Sequence, residues 1–515
     1  MQLLSLERFS VIQRRLALGF EEDIGVLPAV LVVLALAVMS FIVRVGEPPH
    51  PIWDESYYLT AIARYETGTA QFASHPPLGL MLLTVGDELL HPNRGLDTSR
   101  IGWDKQISDE KLPPHYSFTG IRLFSGVFAA LGALLFFGAM LAITGSPLRA
   151  VLFTSLYTFE NAFIAHFRAA QLDAFQICFV AGALLCLVRS AQRGERGSLW
   201  WDLGLGAAIG AATMVKMNAI VLAPLGAMLI VRRLALGWRH SPRGQLLLRG
   251  LRDGVVMTAG CLVVVAATFT IHDVVSRRPP VVASPAGQKD VRYISPAYWA
   301  YLRGERPLSP LVVAVAAFDY WRFMRADLEG MPQVDANGSP PILWPLHFRA
   351  INYRWDSDGH HTSYVQLAGN VWSWWVALAA LLATPVLWVL HRWRPRGPEL
   401  ASGPEQPWRR AVMLMLLLQY AIYMGVHIYL GSMRVMYLYH YFIALLISYC
   451  LVPLVLAEAA DRWPAVRARL DAILSVIVVG ALASFALFAP LSFHQPLTKA
   501  ECEWRNIVQH VVSCR

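Results

Sequence analysis

Predominantly apolar runs of about 17 to 25 residues recur along the whole chain, each long enough to cross about 30 Å of hydrocarbon as a helix. In such a solvent the backbone has no water to bond to, so each run must close its own hydrogen bonds as a helix. We place eleven, at 24–45, 119–143, 150–166, 172–188, 199–215, 218–231, 254–272, 371–390, 411–430, 434–457 and 472–490. Of the 515 residues, 56% are hydrophobic and only 15% charged, too few to cover a soluble body of this size. The expected class is an all-α polytopic membrane protein with about eleven transmembrane helices, within a range of nine to thirteen.

Basic residues orient it. With a cytoplasmic N-terminus, the inside connections collect Arg149, then Arg189, Arg193 and Arg196, then six arginines between Arg232 and Arg252, then the 391–410 linker and the Arg462–Arg469 turn. That is the positive-inside pattern at every turn. The net charge of +9 therefore reflects topology and contact with anionic membrane lipids, and no basic and aromatic array points to nucleic acid. Residues 1–23 carry Arg14 and Arg15 but no small-residue cleavage pattern follows the first span, so an uncleaved anchor is expected.

Two long segments, 46–118 and 273–370, and a tail from 491 then fall outside. We divide the chain into a membrane module over 1–390 that carries both loops, a Pro-, Gly- and Arg-rich cytoplasmic linker over 391–410, and a final set of helices with the tail over 411–515. Four cysteines lie in spans; Cys502 and Cys514 lie in the tail, where an oxidising compartment would let them close a short loop and a reducing one would leave two thiols. No metal-ligand spacing occurs among them.

Three polar constellations interrupt this apolar background. The first is "WDES" with "HPPLG": adjacent acids Asp54 and Glu55 at the start of an amphipathic segment, then His75, Pro76 and Pro77, where two prolines stiffen the backbone beside a titratable imidazole. Asp54 there is open to two readings, a helix cap or a chemical group. The second is "ENAFIAHFRAAQLD", with Glu160, Asn161, His166, Arg168 and Asp173 at a bilayer junction. Charged groups at that depth face a polar cavity or one another, so an ion pair from Arg168 to Asp173 or Glu160 is the structural alternative. Arg122 in "GIRLFSG" and Lys216 in "MVKMNAI" extend this set. The third is "RVMYLYHY", with Arg434, Tyr439, His440 and Tyr441, to be weighed against an aromatic belt with a snorkelling arginine. Several guanidinium groups gathered on one face suit a phosphate, and a carboxylate opposite them suits removal of a proton from an incoming hydroxyl.

In order, "WDES", "HPPLG", "RLFSG", "ENAFIAHFRAAQLD", "ILWPL", "GNVWSWW" and "RVMYLYHY" resemble the motifs of the protein O-mannosyltransferases, membrane enzymes of the GT-C glycosyltransferase superfamily. The resemblance implies transfer of mannose from a polyprenyl-phosphate-mannose donor to Ser or Thr hydroxyls of an acceptor protein, on the extracytoplasmic face, with inversion and no required metal or other cofactor. It implies Asp54 as general base and Glu55 as its neighbour in the acidic motif. His75, Pro76 and Pro77 would shape the site, and Arg122, Glu160, Asn161, Arg168, Asp173, Arg434, Tyr439 and His440 would bind the donor and substrates. Leu80 stands where the family usually has lysine, and the 273–370 loop is too short for the β-trefoil modules of eukaryotic members. With 39 Arg against 5 Lys, a bacterial member in an inner or plasma membrane is expected.

Two rivals accompany this reading. A related transferase would use the same donor class on a lipid or cell-envelope glycan; a transporter would line a path with the same charges, although its paired broken helices in repeated halves are not evident. Residues 290–330 are expected to form amphipathic helix over the cavity, and the sequence does not address oligomeric state.

Overall fold

The structure, a computed structural model, describes residues 24–393, 407–506 and 512–514. The expected N-terminal anchor sequence before the first span and most of the 391–410 linker lie outside the described residues. In chain order the elements are α1 (Val26–Phe41), α2 (Glu55–Glu66), α3 (Pro77–Leu90), α4 (Thr119–Thr144), α5 (Pro147–Thr158), α6 (Asn161–Phe167), α7 (Asp173–Gln192), α8 (Leu199–Val215), α9 (Pro224–Gly237) and α10 (Arg243–Val275). They continue with α11 (Pro285–Val291), α12 (Pro296–Leu302), α13 (Pro310–Glu329), β1 (Ile351–Ser357), β2 (Thr362–Leu367), α14 (Val371–Trp393), α15 (Pro407–Gly431), α16 (Phe442–Arg462), α17 (Pro464–Ala468), α18 (Leu470–Ser492), β3 (Pro496–Leu497) and α19 (Lys499–Trp504).

The expected apolar runs are helical over most of their length, although Arg434–Tyr437, which open the 434–457 run, lie in a turn before the helix. Eight helical stretches among the described residues are long and apolar enough to cross a membrane, while α1 and α8 are shorter apolar helices. The run at 150–166 departs from a continuous span: it breaks into α5 and α6 around Phe159 and Glu160. The cause is Glu160, whose carboxylate accepts from its own helix start at Ala162 N (3.2 Å), from Asn370 N (2.8 Å) and from the Tyr449 hydroxyl (2.5 Å). A carboxylate in an apolar run is satisfied only where the backbone turns to meet it.

Local chemistry sets the other joints. α4 stops at Gly145 with φ 71°, and α5 starts at once, with Ser146 accepting from Arg149 N and Pro147 in its first turn. Helices α8 and α10 pack backbone to backbone: a Cβ at Gly206 would fall 1.8 Å from Met257 O, so only glycine permits this crossing.

Both long segments and the tail pack at one end of the bundle. Asp290 of α11 is the clasp between the segments, pairing with Arg64 of α2 (3.0 Å) and with Lys105 (2.5 Å). Asp327 of α13 accepts from Lys289 (2.6 Å) and from Ser74. α13 leaves Leu311, Phe318 and Trp321 exposed along its length, as an amphipathic loop helix does.

Within the helical fold lies one small antiparallel sheet, ordered β1-β2-β3, that the all-α expectation did not contain. Its strands are only two to seven residues long and sit between apolar helices, so their alternation carries little weight in the sequence. Cys502 and Cys514 form a disulfide, and beside it Ser513 O accepts from Asn352 (3.1 Å) and Gln366 (2.8 Å), so the tail is fastened onto the sheet. At the opposite, arginine-rich end, Arg233 is buried between Asp202 and Asp253, 2.7 Å from each.

Candidate active site

Asp54 and Glu55, adjacent in sequence, are put to different uses. Glu55 is fully buried and accepts four hydrogen bonds: at Oε1 from Arg122 Nε (2.8 Å) and Ala170 N (2.6 Å), at Oε2 from Arg122 Nη2 (2.8 Å) and Ile52 N (2.7 Å). Arg122, equally buried, spends its remaining donors on Gly46 O, Pro48 O and His50 O at 3.0, 2.7 and 2.6 Å. All five of its N–H groups are used. Glu55 and Arg122 therefore hold the 46–55 loop against α4, and the guanidinium has no donor left for a phosphate.

Asp54 stands at the start of α2, and its carbonyl accepts from Tyr57 N (2.9 Å) and Tyr58 N (3.2 Å). Its side chain makes no capping hydrogen bond, so of the two readings open in the sequence the cap is not the one realised. The half-buried carboxyl is pushed up to about 6 by burial, with Lys216 opposing the rise, Asp173 adding to it and the Tyr58 hydroxyl opposing it.

The His-Pro-Pro segment approaches from α3. Pro76 is extended and Pro77 begins the helix, while Tyr320 of α13 donates to His75 O (2.8 Å). Burial, then the nearby Lys216, pulls the His75 imidazole down to about 3, so it is neutral at physiological pH. Its ring lies 6.5 Å from that of Tyr58. Leu80, at the position where lysine was expected, is buried in an apolar cluster with Leu59 and Leu83.

The junction residues divide likewise. Arg168 pairs with neither acid proposed for it; it donates to Val43 O (2.8 Å) and Arg44 O (3.0 Å) beyond the end of α1, with the Phe493 ring 4.9 Å away. Asn161 donates to Phe485 O (3.2 Å), and Glu160 makes the bonds that break the helix. Asp173 is different: one oxygen, Oδ2, meets His166 Nε2 (2.7 Å) and Lys216 Nζ (2.6 Å).

The third constellation completes the arrangement. Arg434 lies in the turn between α15 and the short 3₁₀ segment Leu438–Tyr441, half-buried, and among the described residues no carboxylate pairs with it; Nη1 points to Met331 Sδ at 3.3 Å. Tyr439 stacks on His166 (5.2 Å) and lies 5.1 Å from Lys216 Nζ. His440 stacks on Tyr439 (4.6 Å) and on Trp344 (6.3 Å), its Nδ1 3.0 Å from Tyr437 O. Tyr353 of β1 was not anticipated: its hydroxyl lies 2.6 Å from His166 Nδ1 and its ring 5.0 Å from Trp53. Nothing in the local sequence marks it, because the sheet that presents it was not legible.

Residues 31–272 match the family profile described as dolichyl-phosphate-mannose-protein mannosyltransferase, and residues 320–511 match the profile of the C-terminal four-transmembrane region of protein-O-mannosyltransferase. The chain belongs to the protein O-mannosyltransferase family. Among its relatives are protein O-mannosyl-transferase 2 of Danio rerio, 30% identical over 33% of this chain and 22% of that protein, and dolichyl-phosphate-mannose--protein mannosyltransferase 3 of Saccharomyces cerevisiae, 28% identical over 38% of this chain and 25% of that one. The match thus spans about a quarter of these relatives' own length. The fold aligns with a chain of the S. cerevisiae protein O-mannosyltransferase Pmt1-Pmt2 complex bound to the sugar donor, with TM-score 0.76 and 13% identity over 98% of this chain and 94% of that one. The fold is the GT-C fold of membrane glycosyltransferases.

Within this family member, the expected site residues thus separate into a frame and an open set. Glu55, Arg122, Glu160, Asn161 and Arg168 have their hydrogen bonds directed into the protein. Asp54, His75, Asp173 with Lys216, Arg434, Tyr439 and His440 remain as neighbours at the loop end, close enough for their charges and rings to act on one another.

Proposed function

We propose that this protein is an inverting, metal-independent glycosyltransferase that moves mannose from polyprenyl-phosphate-mannose to Ser or Thr hydroxyls of an acceptor protein, at the extracytoplasmic end of the bundle. The observation that carries the reading is Asp54: its carboxyl makes no capping bond and, among the described residues, no ion pair, and burial pushes it up to about 6. Membership in the family supports the donor and acceptor classes.

In this mechanism Asp54 takes the proton of the acceptor hydroxyl as its oxygen attacks the sugar C1. The bond from C1 to the phosphate oxygen breaks on the opposite face, and the polyprenyl phosphate leaves with the electron pair. Arg434, which no carboxylate among the described residues engages, meets that growing negative charge. Neutral His75 and the Tyr439–His440 stack lie beside these groups, and stacked rings suit the C–H faces of a sugar.

The test is transfer of radiolabelled mannose from polyprenyl-phosphate-mannose to a Ser/Thr-rich peptide by purified protein in nanodiscs, with Asp54→Asn and Arg434→Ala alongside. We expect label on the peptide with wild type, loss of about 10³-fold or more in Asp54→Asn, and loss of donor binding in Arg434→Ala with the fold intact. Donor binding without transfer to any peptide would move the acceptor to a lipid or glycan; no donor binding would sink the transferase reading.

A further inference from the structure

Lys216 is 5% exposed, and its ammonium is the head of a continuous chain of contacts. Nζ meets Asp173 Oδ2 at 2.6 Å; the same oxygen meets His166 Nε2 at 2.7 Å; His166 Nδ1 meets the Tyr353 hydroxyl at 2.6 Å; and the Tyr353 ring packs on Trp53, the residue before Asp54. The Tyr439 ring closes the chain from one side, stacked on His166 and under Lys216. Four separate elements, α6, α7, β1 and the Leu438–Tyr441 turn, are spent on fixing one ammonium at the end of α8.

We infer that Lys216 is a positioning residue for the transfer reaction, fixed by Asp173, His166 and Tyr353 so that its charge sets the ionisation of Asp54. This rests on Asp54 being the base. The ammonium is the largest opposing influence on a carboxyl that burial alone would hold protonated further into the neutral range, and Asp173 acts on Asp54 in the opposite sense. The other titratable groups of the set are Arg434 in the turn after α15, His75 before α3, and tyrosines: Tyr57 and Tyr58 on α2, Tyr353 on β1, and Tyr437 and Tyr439 from the turn before α16. Arg434 keeps its charge and His75 stays neutral in every variant, so the Lys216–Asp173 pair is the part of the surroundings whose charge the substitutions change. A buried ion pair of this kind is easily read as a helix tie. A tie, however, would not alter the pH dependence of the reaction.

The experiment is the pH profile of kcat/KM, with the lipid-linked mannose donor and acceptor peptide, for wild type, Lys216→Gln, Lys216→Arg and Asp173→Asn, each checked for folding by its unfolding temperature. Glutamine keeps a donor for Asp173 and removes the charge, so the acid limb should move up by about 0.5 to 1 unit, a loss of about two- to fivefold at pH 6 that disappears at pH 8. Arginine should leave the limb in place. Asp173→Asn, by freeing the full charge of Lys216, should move it down. Opposite shifts from the two members of one ion pair are the result expected. Limbs that coincide in all variants, or that move the same way in Lys216→Gln and Asp173→Asn, would overturn the inference while leaving Asp54 as base. If Lys216→Gln does not fold, Asp173→Asn alone decides: no downward shift refutes it. Full transfer by Asp54→Asn would instead remove the base assignment, and this inference with it.

Discussion

Asp54 and Glu55 show what a single residue's surroundings decide. Side by side in sequence, one accepts four hydrogen bonds and anchors a loop, and the other is left with a carboxyl that burial raises to about 6. Because that folded value lies above the ordinary 3.8, the folded protein binds this proton more tightly than the unfolded chain does. The stabilising effect is complete below the unfolded value and is lost as pH rises through 6. At pH 7.5 the ionised carboxyl is thus a cost to the fold, and Asp54→Asn should raise the unfolding temperature there, with the gain vanishing near pH 4. A melting series of wild type and mutant across that range checks the sign; a mutant less stable at pH 7.5 would contradict it. Arg122 makes the converse case. Lysine offers three donors from one point where the guanidinium directs five, so Arg122→Lys should lower stability by about 3 kcal/mol or more and cost activity only through loss of folded protein, which separates it from Arg434. A catalytic role for Arg122 would instead appear as lost turnover in protein of unchanged stability.

Elements were legible where one physical constraint acted alone. A run of apolar residues in a bilayer has no alternative to helix, so the helices lie close to where periodicity and length put them. Where two constraints competed, the sequence did not announce the winner: Glu160 broke the 150–166 run because three donors, two of them more than 200 residues away, converge on it. The same holds for the site. Asp54, His75 and Arg434 were marked by their own motifs, whereas the link from Tyr353 to His166 spans 187 residues and depends on a sheet of three short strands. That sheet is held at its edge by the tail, whose disulfide closes a loop with a sequence separation of 12. By chain entropy such a closure is worth about 3 kcal/mol. The Cys502→Ser/Cys514→Ser double mutant should therefore show faster amide hydrogen exchange in 362–367 and 496–504, leaving the transmembrane helices at wild-type rates. Unchanged exchange in those strands would mean the tail docks without its bridge.

At the scale of the whole molecule, two segments more than 150 residues apart are clasped over one end of the bundle. The clasp is Asp290: 1% exposed, it takes Arg64 at 3.0 Å and Lys105 at 2.5 Å, and its Oδ1 also accepts from Phe72 N at 3.3 Å, three residues before His75. Tyr320 and Asp327 of α13 hold the same strip of chain at His75 O and at Ser74. Placement of His75 is therefore a property of the 273–370 segment as much as of its own prolines. Removing the charge of Asp290 leaves buried Arg64 beside half-buried Lys105 without that counter-ion, a change of about 3 to 5 kcal/mol when one member of a buried pair is lost. The bundle itself does not depend on that contact, so the cost should appear as local opening. Asp290→Asn should give fast hydrogen exchange in 70–76 and 286–302, a raised KM for donor or acceptor, and little change in the exchange of α4, α7 or α16. If exchange accelerates throughout the bundle, the two segments are part of its cooperative core and not a cover fastened to it; if exchange at 70–76 is unchanged, the prolines position His75 unaided.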